Sequence, residues 1–113
     1  MKHIIAYIKP HKLSIVTMAL HEIKGLSGMT ILDVRGCGRG GACEEPPSVE
    51  EELYDFVKHI KIEVFCLDSI AEEVVSVIQT NAHTGLKGDG KIYITEVSDA
   101  IRISSGERGE VAV

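Results

Sequence analysis

Thr84-Gly85-Leu86-Lys87-Gly88-Asp89-Gly90-Lys91-Ile92-Tyr93-Ile94 is the stretch on which the reading of this chain turns. Three glycines, two lysines and one aspartate fall within eight residues, and an apolar strand comes directly after. Glycines let a backbone approach a ligand and turn its N–H groups inward. Lysine adds a point charge suited to phosphate. The stretch reads as an anion-binding loop that opens a strand. Locally it reads equally well as a tight turn between a helix and a strand. The surrounding chain decides.

Immediately upstream, Ile70, Ala71, Val74, Val75 and Ile78 make an apolar helical stripe, and Ser69 with Glu72 has capping-box spacing. The loop terminates that helix, and residues 91–97 read as a strand. Further upstream, Ile60, Ile62, Val64 and Cys66 alternate with His59, Lys61 and Glu63, which predicts a strand over 59–66. The first half has a similar plan. Residues 2–9 form a strand that is apolar on both faces and stopped by Pro10. Residues 12–24 form a helix with Leu13, Val16, Leu20 and Ile23 on one face, ended by Gly25. A strand at 29–36 places Thr30, Leu32 and Val34 together. The order predicts an α+β, ferredoxin-like βαββαβ sandwich, one domain over 1–113, with both helices on one face of the sheet. The other face is left bare although it carries apolar residues, so it predicts oligomerisation.

Residues 37–58 separate the second and third strands. Gly36-Cys37-Gly38-Arg39-Gly40-Gly41-Ala42-Cys43 disfavours regular structure. Glu44-Glu45 and Glu50-Glu51-Glu52 charge the segment, and Pro46-Pro47 stiffens it between those two clusters. Ser48 with Glu51 allows a short helical turn. A connection of this length is read as a protruding, partner-facing loop. Cys37 and Cys43 read as a reversible redox pair, a metal pair or two ordinary loop thiols. No third ligand is fixed by the spacing, so no metal site is expected. Cys66 lies on an apolar strand face and reads as core.

The chain has 113 residues, 44% hydrophobic and 26% charged, with a formal net charge of -5. That balance fits a globular protein and argues against general nucleic-acid or anionic-membrane binding. No apolar run approaches the ~20 residues of a membrane span. The N-terminus reads as a strand rather than a signal peptide, so a cytoplasmic location is expected.

Several of these stretches resemble the PII family of signalling proteins. Thr84–Ile94 is similar to the family signature TG-x-x-GDGK-I-[FY]-[VI]. The tail from Ala100 to Glu110, the start Ile8-Lys9-Pro10 with Lys12-Leu13, and Gly28-Met29-Thr30 match as well, so the resemblance spans essentially the whole chain. It implies a ferredoxin-like homotrimer with nucleotide sites at subunit clefts and a long loop that engages target proteins of nitrogen or carbon metabolism. Such proteins sense ligands and are not enzymes. Carried over, Gly88, Asp89, Gly90 and Lys91 would wrap the phosphates, and Gly36, Cys37, Gly38 and Arg39 would line the same cleft. Glu63, Val64 and Thr84 would face the base and ribose, while Gly28, Met29, Thr30 and Arg102 would arrive from a neighbouring subunit.

The chain departs from the family pattern around that cleft. The glutamine that comes after the loop-base arginine is Gly40, which offers no side-chain oxygen to a metal. The lysine that pairs with 2-oxoglutarate falls on His59, beside Lys58. A second tail arginine is Ser104, and the modified loop tyrosine aligns with Glu52, with Tyr54 nearby. These changes weaken recognition of a third phosphate and its magnesium. They favour ADP or AMP over Mg-ATP, with bicarbonate as the companion anion held by Gly38, Arg39, Gly40, Gly41 and His59, as in PII-like proteins associated with carboxysomes and bicarbonate transport. The alternatives are a conventional nitrogen-regulatory PII protein that senses ATP, ADP and 2-oxoglutarate, and a weak nucleotide hydrolase built on Asp89, Lys91 and His59.

Overall fold

The computed structural model describes residues 1–37 and 56–113. Along them run β1 (Lys2–Ile8), a 3-10 turn at Pro10–Lys12, α1 (Leu13–His21), β2 (Thr30–Gly36), β3 (Val57–Cys66), α2 (Asp68–Ala82), β4 (Lys91–Glu96) and a closing 3-10 turn at Gly109–Ala112. The sheet order is β2-β3-β1-β4, and each pairing is antiparallel. This is the expected ferredoxin-like βαββαβ arrangement.

The alternation of side chains along a strand explains the two faces. Ile4, Ala6 and Ile8 of β1 and Ile60, Ile62, Val64 and Cys66 of β3 point to the helix side. There they meet Val16 and Leu20 of α1 and Ala71, Val74 and Ile78 of α2 in one buried cluster. Removing each large aliphatic side chain from water contributes about 1.5–3 kcal/mol. The opposite parity sends His3, Ile5 and Tyr7 to the bare face. Leu32 opposes Lys61, and Tyr93 opposes Ile5, so both join that face. His3 stacks on Phe65 at 4.3 Å, and Tyr7 meets Tyr93 edge-on at 6.3 Å. Phe65 and Tyr93 remain 48% and 50% exposed.

The structure moves several boundaries. Helix α1 is shorter than 12–24, because Pro10 opens a 3-10 turn before it and, after His21, Glu22 N–H and Ile23 N–H bond to Ala19 O and Leu20 O, three residues back rather than four. Gly25 does end the segment, at φ 88°. The third strand begins at Val57 rather than at residue 59, since Lys58 pairs with Arg35 and Val57 with Gly36. Its connection to β2 is therefore shorter than 37–58 at its far end. The capping box at Ser69 does not form: α2 starts at Asp68 behind Leu67, with no side-chain cap. The Met1 ammonium instead donates to Asp68 Oδ1 at 2.8 Å, and the carboxylate sits at the positive end of the helix. His3, for which the sequence suggests no partner, lies 3.3 Å from Glu63.

The tail has no apolar period, yet it folds. Arg102 N–H donates to Glu107 O at 2.9 Å, Gly106 N–H to Arg102 O at 2.7 Å and Gly109 N–H to Ala100 O at 2.9 Å. Gly106 and Gly109, both at positive φ, make this tight hairpin feasible. Among the described residues, no helix is long and apolar enough to cross a membrane.

Candidate functional site

The loop between α2 and β4 lies at one end of the sheet. Tyr7 pairs with Lys91 across β1 and β4, and His59 of β3 brings Nε2 to 3.4 Å from Gly88 O. The end of β2 at Gly36 stands opposite Val57 in the same region. The base of the long connection and the glycine-rich loop are thus neighbours within one chain. A cavity of about 380 Å³ opens beside the loop, floored by Ile8, Ile78 and Ile92 and rimmed by Gln79, His83 and Lys91.

Asp89 holds the loop together from inside. Its carboxylate accepts from Thr84 N at 2.9 Å, from Gly85 N at 3.3 Å and from the Thr84 hydroxyl. Lys9 Nζ reaches it at 3.2 Å and His83 Nδ1 at 3.4 Å. Thr84 Oγ1 in turn accepts from Leu86 N and Lys9 Nζ, both at 3.1 Å. The Thr84 hydroxyl, then the Thr84 N–H, with Lys9 and the Gly85 N–H adding to them, hold the Asp89 carboxyl far below the usual carboxylate range. The family resemblance has Thr84 face a nucleoside and Asp89 a phosphate. In the structure both are tied to each other.

The clasp leaves donors at the loop's outer turn. Residues 87 and 88 form a turn that points the Asp89 N–H at Leu86 O, and among the described residues no hydrogen-bond acceptor is found for the N–H groups of Lys87, Gly88 and Gly90. Gly88 has φ 82° and Gly90 φ 103°. At Gly90 a Cβ would lie 1.7 Å from Tyr7 O, so only glycine lets the loop run against β1. Lys87 and Lys91 bound the turn in sequence, and neither has a carboxylate partner among the described residues. Successive amides at positive-φ glycines with flanking cations are the physical makings of an anion cradle.

The residues predicted for a nucleotide fall into two groups. Gly36, Cys37, Thr84, Gly88, Asp89, Gly90 and Lys91 gather at the loop end. Thr30 opposes Glu63 four residues further along β3 than His59, about 13 Å at strand rise. Gly28 and Met29 precede Thr30 and line a cavity of about 570 Å³ with Leu20, Leu26 and Ile31. Arg102 lies in the tail, where Nη2 donates to Val111 O at 3.0 Å. The tail adjoins the approach to β2, since Ser27, Phe65, Ala100 and Ala112 share a cavity of about 340 Å³. Val64 is fully buried in the core, so it presents only its backbone. Glu63 pairs with Lys61 at 3.3 Å on the bare face, and His3 Nε2 lies 3.3 Å from its carboxylate without a hydrogen bond. The residues predicted for one nucleotide therefore lie in two separate groups along the sheet of a single chain.

Gly38, Arg39, Gly40, Gly41 and Cys43, and with them most of the small-anion set and the second thiol of the proposed redox pair, lie outside the described residues. So do the acidic clusters and the helical turn expected after Ser48. Cys37, at the end of β2, is disulfide-bonded, whereas Cys66 is a buried free thiol whose pKa is raised by burial. Among the described residues, no group of three or more His, Cys, Asp or Glu side chains is placed to hold a metal ion. Lys9 is the site residue that sequence reasoning undervalues. Its signal is nonetheless present: β1 runs beside β4, so the residue ending β1 must meet the loop that begins β4.

A βαββαβ fold with a glycine-lysine loop beside the base of a long β2–β3 connection is the architecture of the PII class of signalling proteins. The chain belongs to that family: the profile described as Nitrogen regulatory protein P-II matches residues 1–107. Among its relatives, the nitrogen regulatory protein P-II of Azospirillum brasilense is 44% identical over 113 residues, covering all of both chains. The proteins of the same name from Haemophilus influenzae, at 43%, and P-II 1 from Escherichia coli, at 42%, are likewise matched over their full lengths. These names favour the conventional nitrogen-regulatory reading over the bicarbonate-associated one.

Proposed function

We propose that the chain is a P-II sensor that binds adenine nucleotide through its phosphates at the 84–91 loop and signals to a target protein through the connection after β2. The observation that carries this reading is the loop itself: the N–H groups of Lys87, Gly88 and Gly90 have no acceptor among the described residues, and Lys87 and Lys91 stand at either side of them in sequence. Two half-sites at different ends of the sheet imply that one chain's loop faces another chain's Thr30, Glu63 and Arg102. A homotrimer joined through the bare face of Ile5, Leu32, Phe65 and Tyr93 supplies that arrangement. Ligands that bind one conformer of the connection better shift its population, and the target reads the shift.

The relatives' names support a nitrogen-regulatory role. In that reading ATP and ADP are the competing ligands and 2-oxoglutarate the co-effector, as the family resemblance implies. A second reading, ADP or AMP with bicarbonate, is favoured by Ser104 and Gly40, which stand where the family has an arginine and a glutamine. Calorimetry with ATP, ADP and AMP, each with and without magnesium, 2-oxoglutarate or bicarbonate, separates the two. Tightening of Mg-ATP by 2-oxoglutarate supports the first reading, and tightening of ADP or AMP by bicarbonate supports the second. Absence of any adenine nucleotide binding overturns both. Nucleotide turnover by pure protein would support the hydrolase instead.

A further inference from the structure

We propose that Asp89 and Lys9 form a positioning pair: the Asp89 carboxylate folds the 84–90 loop from within and touches no ligand itself, and Lys9 cancels its charge so that an anion can occupy the amides beside it. The inference deepens the reading of this loop as a phosphate site and rests on it.

A carboxylate next to an anion cradle presents a physical problem. It is a like charge within a few ångströms of any bound phosphate, and it repels what the amides attract. One resolution is that the carboxylate ligates a cation shared with the phosphate. The geometry points to another. Oδ2 faces Thr84 N, Gly85 N and His83 Nδ1, while Oδ1 faces the Thr84 hydroxyl and Lys9 Nζ. Both oxygens are thus occupied by groups of the same chain, and the side chain is 25% exposed. Lys9 is only 19% exposed and is doubly tethered, to Asp89 and to Thr84 Oγ1. Its stem passes under the outer turn: a Cβ at Gly88 would lie 3.9 Å from Lys9 Cε. The pair therefore links the end of β1 to the cradle, and it sets both the shape and the local charge of the loop.

Two readouts test the pair. The first needs no ligand: the pH titration of the Asp89 side-chain carboxyl carbon, tracked by NMR. Its midpoint is expected well below the ordinary ~3.9 of aspartate and higher in Lys9→Met than in the parent protein. An ordinary midpoint in the parent, or one that Lys9→Met leaves in place, overturns the pair.

The second readout is calorimetric binding of ADP and ATP by the full chain, with and without magnesium. Lys9→Met is expected to weaken both about tenfold, more for ATP than for ADP, and Lys9→Arg to restore most of the loss. Asp89→Asn is expected to weaken binding whether or not magnesium is present, because its single acceptor oxygen can serve Thr84 N and Gly85 N only by turning its NH2 group toward the Lys9 ammonium. Tighter binding by Asp89→Asn would mean that the carboxylate merely repels the ligand. A loss confined to magnesium-containing samples would make it a metal ligand. Either result contradicts the pair. If the parent protein binds no nucleotide, the functional reading fails, and the NMR titration alone still decides the clasp.

Discussion

Gly90 shows how closely single atoms constrain this site. A Cβ added there would stand 1.7 Å from Tyr7 O, and φ is 103°, so Gly90→Ala must displace either the loop or β1. It is expected to cost about 3 kcal/mol in denaturant unfolding, against less than about 1 kcal/mol for alanine at the open Gly28. Acidic residues give a second expectation. Asp68 is held below its usual 3.8, first by its hydrogen bond with the N-terminal ammonium and then by Lys2. The ammonium is raised above 8.0, chiefly by that same bond. A depressed carboxyl stabilises the fold above its unfolded value, and that contribution is lost as pH falls. A raised ammonium stabilises below its unfolded value, and that contribution is lost as pH rises. Thermal melts of Asp68→Asn and the parent protein should therefore differ most between about pH 5 and 7 and converge toward both extremes.

The elements are legible wherever hydrophobic periodicity governs them. The stripe of α2 places Ala71, Val74 and Ile78 in the core as the sequence suggests, and Ile78→Ala should cost about 2–5 kcal/mol in chemical denaturation. The alternation in β3 is equally clear at Ile60, Ile62 and Val64. The start of β3 is less so, because Val57 and Lys58 are strand only by virtue of pairing with Gly36 and Arg35, residues about 20 positions away. The cap of α2 escapes the sequence because Ser69–Glu72 spacing is a local signal, and the N-terminal ammonium competes for the helix start from the far end of the chain. The cradle is recognisable by its glycines and lysines. The inward use of Asp89 is not, because it depends on Lys9 arriving from β1 through the sheet order. The tail hairpin arises from backbone turns at Gly106 and Gly109, which leave no hydrophobic period to read.

At the scale of the whole molecule, the bare sheet face and the divided site make the same demand. Leu32, Phe65 and Tyr93 are exposed on that face, and in the proposed reading Gly88–Lys91 are completed by residues of a neighbouring copy. Leu32→Glu, introduced on the 40%-exposed Leu32, is expected to lower the sedimenting mass toward the monomer and to abolish nucleotide binding with it. Retained binding by a monomer would separate the two properties. The decisive measurement is complementation between half-site variants. Lys91→Ala and Arg102→Ala are prepared separately, then unfolded together and refolded as mixed assemblies, and ADP binding is measured by calorimetry. Each variant alone should bind poorly, and the mixture should recover clefts in which an intact Lys91 loop faces an intact Arg102. No recovery in assemblies shown to be mixed, or unimpaired binding by either variant alone, would contradict a phosphate site shared between copies of this chain.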